Sequence, residues 1–124
     1  MERYKILVTP TASFGKYSDA FSRLKSAGLE VILSPYSHPL KEEELKEFIS
    51  QVDGIIVGLD PITPSLLEEA KRLRVISKHG VGVDNIAVEE ATRRRIVVAN
   101  APGTNDDSVA DLAFAFVLSL ARHI

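Results

Sequence analysis

The chain has 124 residues, 45% of them hydrophobic, which suits one globular domain able to bury a core unaided. Lys and Arg number 15 against 17 Asp and Glu, a formal net charge of -2, so the overall balance points to neither nucleic acid nor an anionic membrane. With no cysteine, a disulfide, a zinc–thiolate site and a thiol nucleophile are excluded.

Met1-Glu2-Arg3-Tyr4-Lys5 runs straight into a strand-like segment, without the apolar stretch of a secretory signal. No apolar run reaches the length of a membrane span, so the cytoplasm is the expected location. Tyr4 to Val8 reads as the first strand, closed by Thr9-Pro10. Tyr17, Ala20, Phe21, Leu24 and Ala27 recur at helical spacing, and Gly28 is a natural stop after them. Leu29 to Leu33 is a second strand. Lys41 to Ile49 is a second helix, with Leu45, Phe48 and Ile49 on its stripe. Asp53-Gly54 turns into a third strand at Ile55 to Val57. Thr63-Pro64 opens a third helix, Thr63 as cap and Pro64 at the first helical position.

Val75-Ile76 is a short fourth strand. Val88 to Arg95 is a short helix, with Glu89 and Glu90 at its start and Arg93, Arg94 and Arg95 at its end, an order that complements the helix dipole. The arginine triplet could bind phosphate or be a solvated helix end. Ile96 to Val98 is the fifth strand. Strands alternating with helices give a doubly wound α/β fold, a parallel sheet with helices on both faces; right-handed crossovers leave two common strand orders, of which five strands favour the flavodoxin-like 2-1-3-4-5. Ser108 with Asp111 resembles a capping box opening a last helix over Asp106 to Ile124. From Val109 to Ala121 only Asp111 and Ser119 are polar, so that helix needs cover on more than one side: one sheet face cannot supply it alone, and a missing domain or a second subunit should cover the rest. It reads as helix to the final residue, which suggests a piece of a longer polypeptide.

Ligands of open parallel sheets bind beyond the carboxyl ends of the strands. After the first strand, Thr9 to Lys16 has hydroxyls but no glycine where a phosphate loop needs one, which favours a polar turn. After the fourth, His79-Gly80-Val81-Gly82-Val83-Asp84-Asn85 carries half of a dinucleotide fingerprint. The third glycine is replaced by Asn85, the unit is not the first βα unit, and Asn100 stands where an acid is needed. Two readings stand: a tight turn without ligand, or a nest in which the amides of Val81, Gly82 and Val83 hold a small anion. Asp84 and Asn85 would cap the helix near Val88. Asn105 is a cap or a side chain aimed at a ligand. His79, beside the glycine loop, could donate to an anion; His38 lies in a Pro-rich loop and His123 at the frayed end. A receiver-like or flavin-binding module is the alternative. It lacks the acidic pair after the first strand, and Asp60 comes late for a phosphoacceptor.

Residues 75 to 122, VISKHGVGVDNIAVEEATRRRIVVANAPGTNDDSVADLAFAFVLSLAR, closely resemble the segment preceding the cofactor domain in the D-isomer-specific 2-hydroxyacid dehydrogenases, phosphoglycerate dehydrogenases among them. The resemblance rests on Gly80-Val81-Gly82-Val83-Asp84-Asn85, on the turn Asn100-Ala101-Pro102-Gly103, and on Ser108-Val109-Ala110-Asp111 opening an apolar helix. It implies a flavodoxin-like substrate-binding domain over 1–105 and a linker helix over 106–124 leading into a Rossmann domain not present here. It implies an NAD- or NADP-dependent parent oxidoreductase acting on a small 2-hydroxy or 2-oxo acid. Gly80, Val81 and Gly82 would grip the substrate carboxylate, Asn105 would face the inter-domain cleft with His79 as a further candidate, and Val81 and Val109 would touch the cofactor. The catalytic residues would lie in the missing part, leaving no catalytic residue, no bound cofactor and no metal in this chain. A homodimer through the 106–124 helix is expected. One departure matters: members acting on phosphoglycerate tend to carry Arg-Ser after the third strand, where this chain has Gly58-Leu59-Asp60-Pro61. Without a cation, and with Asp60 nearby, that place argues against a phosphorylated substrate.

Overall fold

The computed structural model describes residues 3–15 and 19–124. Five strands form one parallel sheet: β1 (Lys5–Val8), β2 (Glu30–Leu33), β3 (Gly54–Val57), β4 (Val75–Lys78) and β5 (Val97–Ala99). Their order is β2-β1-β3-β4-β5, the one of the two common doubly wound orders that five strands favoured. Between and after them come α1 (Ala20–Ser26), α2 (Glu42–Ile49), α3 (Pro64–Glu69), α4 (Val88–Arg93) and α5 (Asp106–Arg122). The expected start of the first helix at Tyr17 lies outside the described residues.

Alternation along the strands splits the core in two. Leu7, Ile55, Val57 and Ile76 face α2, α3 and α4, where Leu45, Ile49, Leu66, Leu67 and Ala91 meet them. Ile6, Val8 and Ile56 face the other way, against Phe21 and Leu24 of α1 and Phe14 of the β1 turn. Full burial of each large aliphatic side chain contributes about 1.5–3 kcal/mol. Helices do cover both faces, but unequally. At β5 the second face is bare, with Val97 61% exposed.

Local chemistry sets the helix ends. Thr63 Oγ1 accepts the Leu66 N–H at 3.1 Å, capping α3 as its sequence implied. After α1, Gly28 sits at φ +78°, its N–H donating to Lys25 O and the Leu29 N–H to Leu24 O. That double bond pattern is a Schellman turn, and its left-handed residue is glycine. The turn after α4 repeats the pattern, Arg95 N–H to Thr92 O and Ile96 N–H to Ala91 O, but the left-handed residue there is Arg95, at φ +59°.

The last helix departs from expectation twice. It begins at Asp106, so Ser108 lies inside its first turn and cannot be its N-cap. Asn105 takes that place without a side-chain cap bond. Nor does the sheet cover one side of it: no residue of α5 is buried, and Phe114 and Leu120 are 70% and 79% exposed.

At the amino ends of the strands, Asp53 fastens β1 to β3. Its Oδ2 accepts the Lys5 N–H at 2.9 Å, and the Arg72 guanidinium approaches at 3.3 Å. Burial alone would raise the Asp53 pKa. The Lys5 N–H and the Arg72 charge outweigh it and hold the carboxyl below its ordinary value. A depressed carboxyl stabilises the fold above its unfolded pKa, and that stability is lost as pH falls through the folded one. Urea midpoints are therefore expected to drop between about pH 5 and pH 2. Asp53→Asn is expected to flatten part of that slope while lowering the midpoint at pH 7; a wild-type slope in the variant refutes the assignment.

Candidate functional site

The carboxyl ends of β1, β2, β3 and β4 open onto a cleft of about 620 Å³. Four loops line it: Thr9 to Ser13, Ser37 to Pro39, Gly58 to Asp60, and Lys78 to Gly82 with Asp84 and Asn85.

Asp60 holds three of these loops together. It is 1% exposed. Its Oδ2 accepts from Thr9 Oγ1 at 2.5 Å and from the Gly58 N–H at 2.9 Å; its Oδ1 accepts the Leu40 N–H at 2.7 Å. The sequence placed this carboxylate as a charge beside an incoming phosphate, or as a late phosphoacceptor. Instead its oxygens are engaged internally by donors from three segments. The case against a phosphorylated substrate therefore rests on the missing cation in this loop, not on repulsion by Asp60.

Asn85 ties the β3 and β4 loops. Its Nδ2 donates to Gly58 O at 3.1 Å and Asp60 O at 2.7 Å, while its Oδ1 accepts from Lys78 Nζ at 2.8 Å. The expected cap of α4 by Asp84 and Asn85 does not form. Ala87 is the N-cap, without a side-chain bond. The reason is the bridge between Ile62 and Ile86, with Ile62 N–H on Asn85 O and Ala87 N–H on Ile62 O. It presses Asn85 against the β3 loop, before the helix begins.

Lys78 was not foreseen. It is 8% exposed, and its Nζ also donates to Gly58 O at 2.6 Å. Both of its acceptors are neutral, and among the described residues it has no carboxylate partner. The ammonium lies beneath the glycine loop, with the buried Asp60 carboxylate on the other side of Gly58 and Asp84 beside Gly82. The signal was present: a lysine ending an apolar strand of a two-face-covered sheet must find acceptors inside.

The glycine loop itself turns at Gly80, φ +147°, where an added Cβ would lie 3.3 Å from Lys78 Cε. Its carbonyls are engaged: Gly80 O accepts the Ala101 N–H, Val81 O accepts Asn100 Nδ2, and Val83 O accepts the Ile86 N–H. The N–H groups of Val81 and Gly82 have no acceptor among the described residues, and both residues line the cleft. Such a stretch is chemically able to receive an anion.

His79 lines the cleft too, its ring edge-on to Phe14 with centroids 5.7 Å apart. His38, passed over in the sequence, lies on the β2 wall. Its Nδ1–H donates to Pro39 O at 2.8 Å. No spacing rule links residues 38 and 79; the topology alone joins them. Asn105 and Val109 are not brought to the cleft. Both stand at the start of α5, exposed.

The turn after β1 does not fit a dinucleotide pyrophosphate. Most of its amides are engaged internally, with Thr11 N–H on Thr9 O and the Ser13 and Phe14 N–H groups on Pro10 O, which among the described residues leaves Ala12 N–H as one isolated donor rather than a row. Among the described residues no group of three or more His, Asp or Glu could hold a metal ion, and no helix is long and apolar enough to cross a membrane.

Asn85→Ala would leave Lys78 with one acceptor and orphan the Asp60 carbonyl. A loss of about 2–4 kcal/mol is expected from denaturant melts. Lys78→Met added to it is expected to cost less than the two separate losses combined. Simple additivity would show that the two groups do not act as a unit.

Residues 11–121 match the family model of the D-isomer specific 2-hydroxyacid dehydrogenase catalytic domain. The D-3-phosphoglycerate dehydrogenase of Methanocaldococcus jannaschii is 40% identical over 97% of this chain and 22% of its own length. The glyoxylate reductase of Thermococcus litoralis is 46% identical over 64% of this chain and 24% of its own. The NAD+-bound 3-phosphoglycerate dehydrogenase of Entamoeba histolytica superposes with a TM-score of 0.82 at 31% identity, covering 95% of this chain and 39% of that one. The chain spans about a quarter of the length of the curated relatives it matches. With the matched order of strands and the glycine loop in place, the chain belongs to the D-isomer specific 2-hydroxyacid dehydrogenase family, within its catalytic domain.

Proposed function

We propose that this domain binds the substrate carboxylate in an NAD- or NADP-dependent oxidoreductase acting at C2 of a small 2-hydroxy or 2-oxo acid. The observation that carries the reading is the pair of acceptor-free amides at Val81 and Gly82, lying next to the turn at Gly80 and the buried charge of Lys78. Preorganised N–H donors in a partly enclosed cleft hold a carboxylate without reorganising. Gly80 supplies the bend, and His79 offers a further donor at the rim. The dinucleotide and the acid–base pair belong to polypeptide outside this chain, so the isolated domain is inactive. Asn105 and Val109 would join the site only when a second body closes against α5.

The cleft favours an unphosphorylated acid. Thr11, Ser13, Ser37 and His38 line the walls opposite the glycine loop, and the loop after β3 carries no cation. Relatives named for glyoxylate and for phosphoglycerate match about equally well, so the preference rests on these side chains. Titrating glyoxylate, hydroxypyruvate and 3-phosphoglycerate while following backbone amide resonances tests both points. The expected result is movement of residues 80–83 with the first two acids, at millimolar affinity, because half of a cleft binds weakly. Binding confined to 3-phosphoglycerate would reverse the preference. No response at residues 80–83 to any of the three would end the carboxylate reading.

We also propose that α5 is an association surface, and that in the isolated chain its partner is a second copy. A helix apolar on all sides without a buried residue has cover still to find. Sedimentation is expected to give a dimer, and Leu112→Lys with Phe116→Lys a monomer. A wild-type monomer with α5 protected from hydrogen exchange contradicts this.

A further inference from the structure

The amino ends of the strands form a second cleft, of about 710 Å³, at the opposite end of the sheet from the glycine loop. Among the described residues it is lined by Arg3, Lys71, Arg72, Arg74, Arg94 and Arg95, with Asp53 as the only carboxylate. Six of the chain's 15 basic residues therefore converge on one concavity of a chain whose net charge is -2. Composition does not produce this; placement does. Each cationic segment immediately precedes a strand, so the parallel register brings them to one edge.

Three of the six are already engaged. Arg72 is held by Asp53, Arg94 by Glu90 at 2.6 Å, and Arg74 lies over the Tyr4 ring, 5.1 Å from its centroid, reaching the Tyr4 Oη at 3.3 Å. These contacts fix the walls. Arg3, Lys71 and Arg95 are exposed and form no ion pair among the described residues.

Arg95 adds an independent observation. It occupies the left-handed position of the turn after α4, the place that Gly28 fills after α1. A left-handed residue with a Cβ costs about 1–2 kcal/mol more than glycine there. A strained residue that keeps a long cation at the mouth of a basic cleft points to a use for that cation.

We infer that this cleft binds a small polyvalent phosphate, an inorganic polyphosphate or the polyphosphate arm of a nucleotide, with Arg3, Lys71 and Arg95 as its ligands. Guanidinium forks match phosphate oxygens two at a time, and several cations in one cleft reward charge on a single small anion. The volume suits a compact ligand. This site shares no lining residue with the carboxylate cleft and does not depend on the function proposed for it.

The test is a titration of the full chain with tripolyphosphate, ATP and inorganic phosphate at low and high salt, read by amide resonances and calorimetry. Tripolyphosphate is expected to move residues 71–74 and 94–95, to leave 80–83 in place, and to bind far more tightly than phosphate. Equal affinity for ATP assigns recognition to the phosphates alone; tighter binding of ATP extends the site to the nucleoside. Arg95→Gly separates a ligand from a structural residue, because its two effects have opposite sign. It is expected to raise the thermal midpoint and to weaken tripolyphosphate binding about threefold to tenfold, the range for one charge near a partly solvated anion. Lys71→Ala is expected to weaken binding similarly without touching the α4 turn. Unchanged affinity in both variants, no response at residues 71–74, or binding of a duplex oligonucleotide without response to tripolyphosphate would overturn the inference.

Discussion

The cleft of this domain depends on two buried charges held by mostly uncharged partners. Asp60 accepts from one hydroxyl and two backbone amides, and Lys78 donates to a backbone carbonyl and a side-chain amide. Neither ion is neutralised by direct salt-bridge contact with the other. Each organises polar groups that would otherwise be orphaned in the turns at the ends of β1, β3 and β4. Parallel strands deliver loops to one edge but do not fix their shapes; here the charges do, because an unsatisfied ion inside is far costlier than an unsatisfied loop outside. Asn85 couples the two systems, bonding at once to Lys78 and to the carbonyl of Asp60.

That arrangement explains how a loop with free amides can stay open. A glycine-rich turn left alone folds back and spends its N–H groups on its own carbonyls. Here the carbonyls of Gly80 and Val81 are drawn outward to Ala101 and Asn100, while Lys78 lies beneath. The donors are left without a neighbour to bond. The β1 turn behaves differently: its Thr11, Ser13 and Phe14 amides bond to carbonyls of the turn itself, so among the described residues it presents no adjacent pair of free donors.

The fold was legible in the sequence because its signals are local. Runs such as Ile6-Leu7-Val8 and Gly54-Ile55-Ile56-Val57 declare strands, Thr63-Pro64 declares a helix start, and Gly28 a helix end. Connectivity and handedness narrowed the strand order to two, and the count of five strands favoured the one observed. The site was legible only where chemistry and chain position coincide, at Gly80 to Gly82. Asp60, Lys78 and His38 matter through partners 20 to 51 residues away or through a wall they share, and no period or spacing encodes that. Asn85 was misjudged for a related reason. An Asn shortly before a helix reads as a cap, and only the long-range Ile62–Ile86 bridge decides that its amide turns elsewhere.

The bare flanks of α5 carry a thermodynamic consequence. A lone helix of 17 residues sits near the limit at which backbone bonds alone can hold it in water. Because it lends no buried side chain to the sheet, the sheet gains little from its order, and it gains little from the sheet. Without cover, the helix would therefore be only weakly linked to the α/β unit in unfolding, and its rigidity would be borrowed from whatever it lies against.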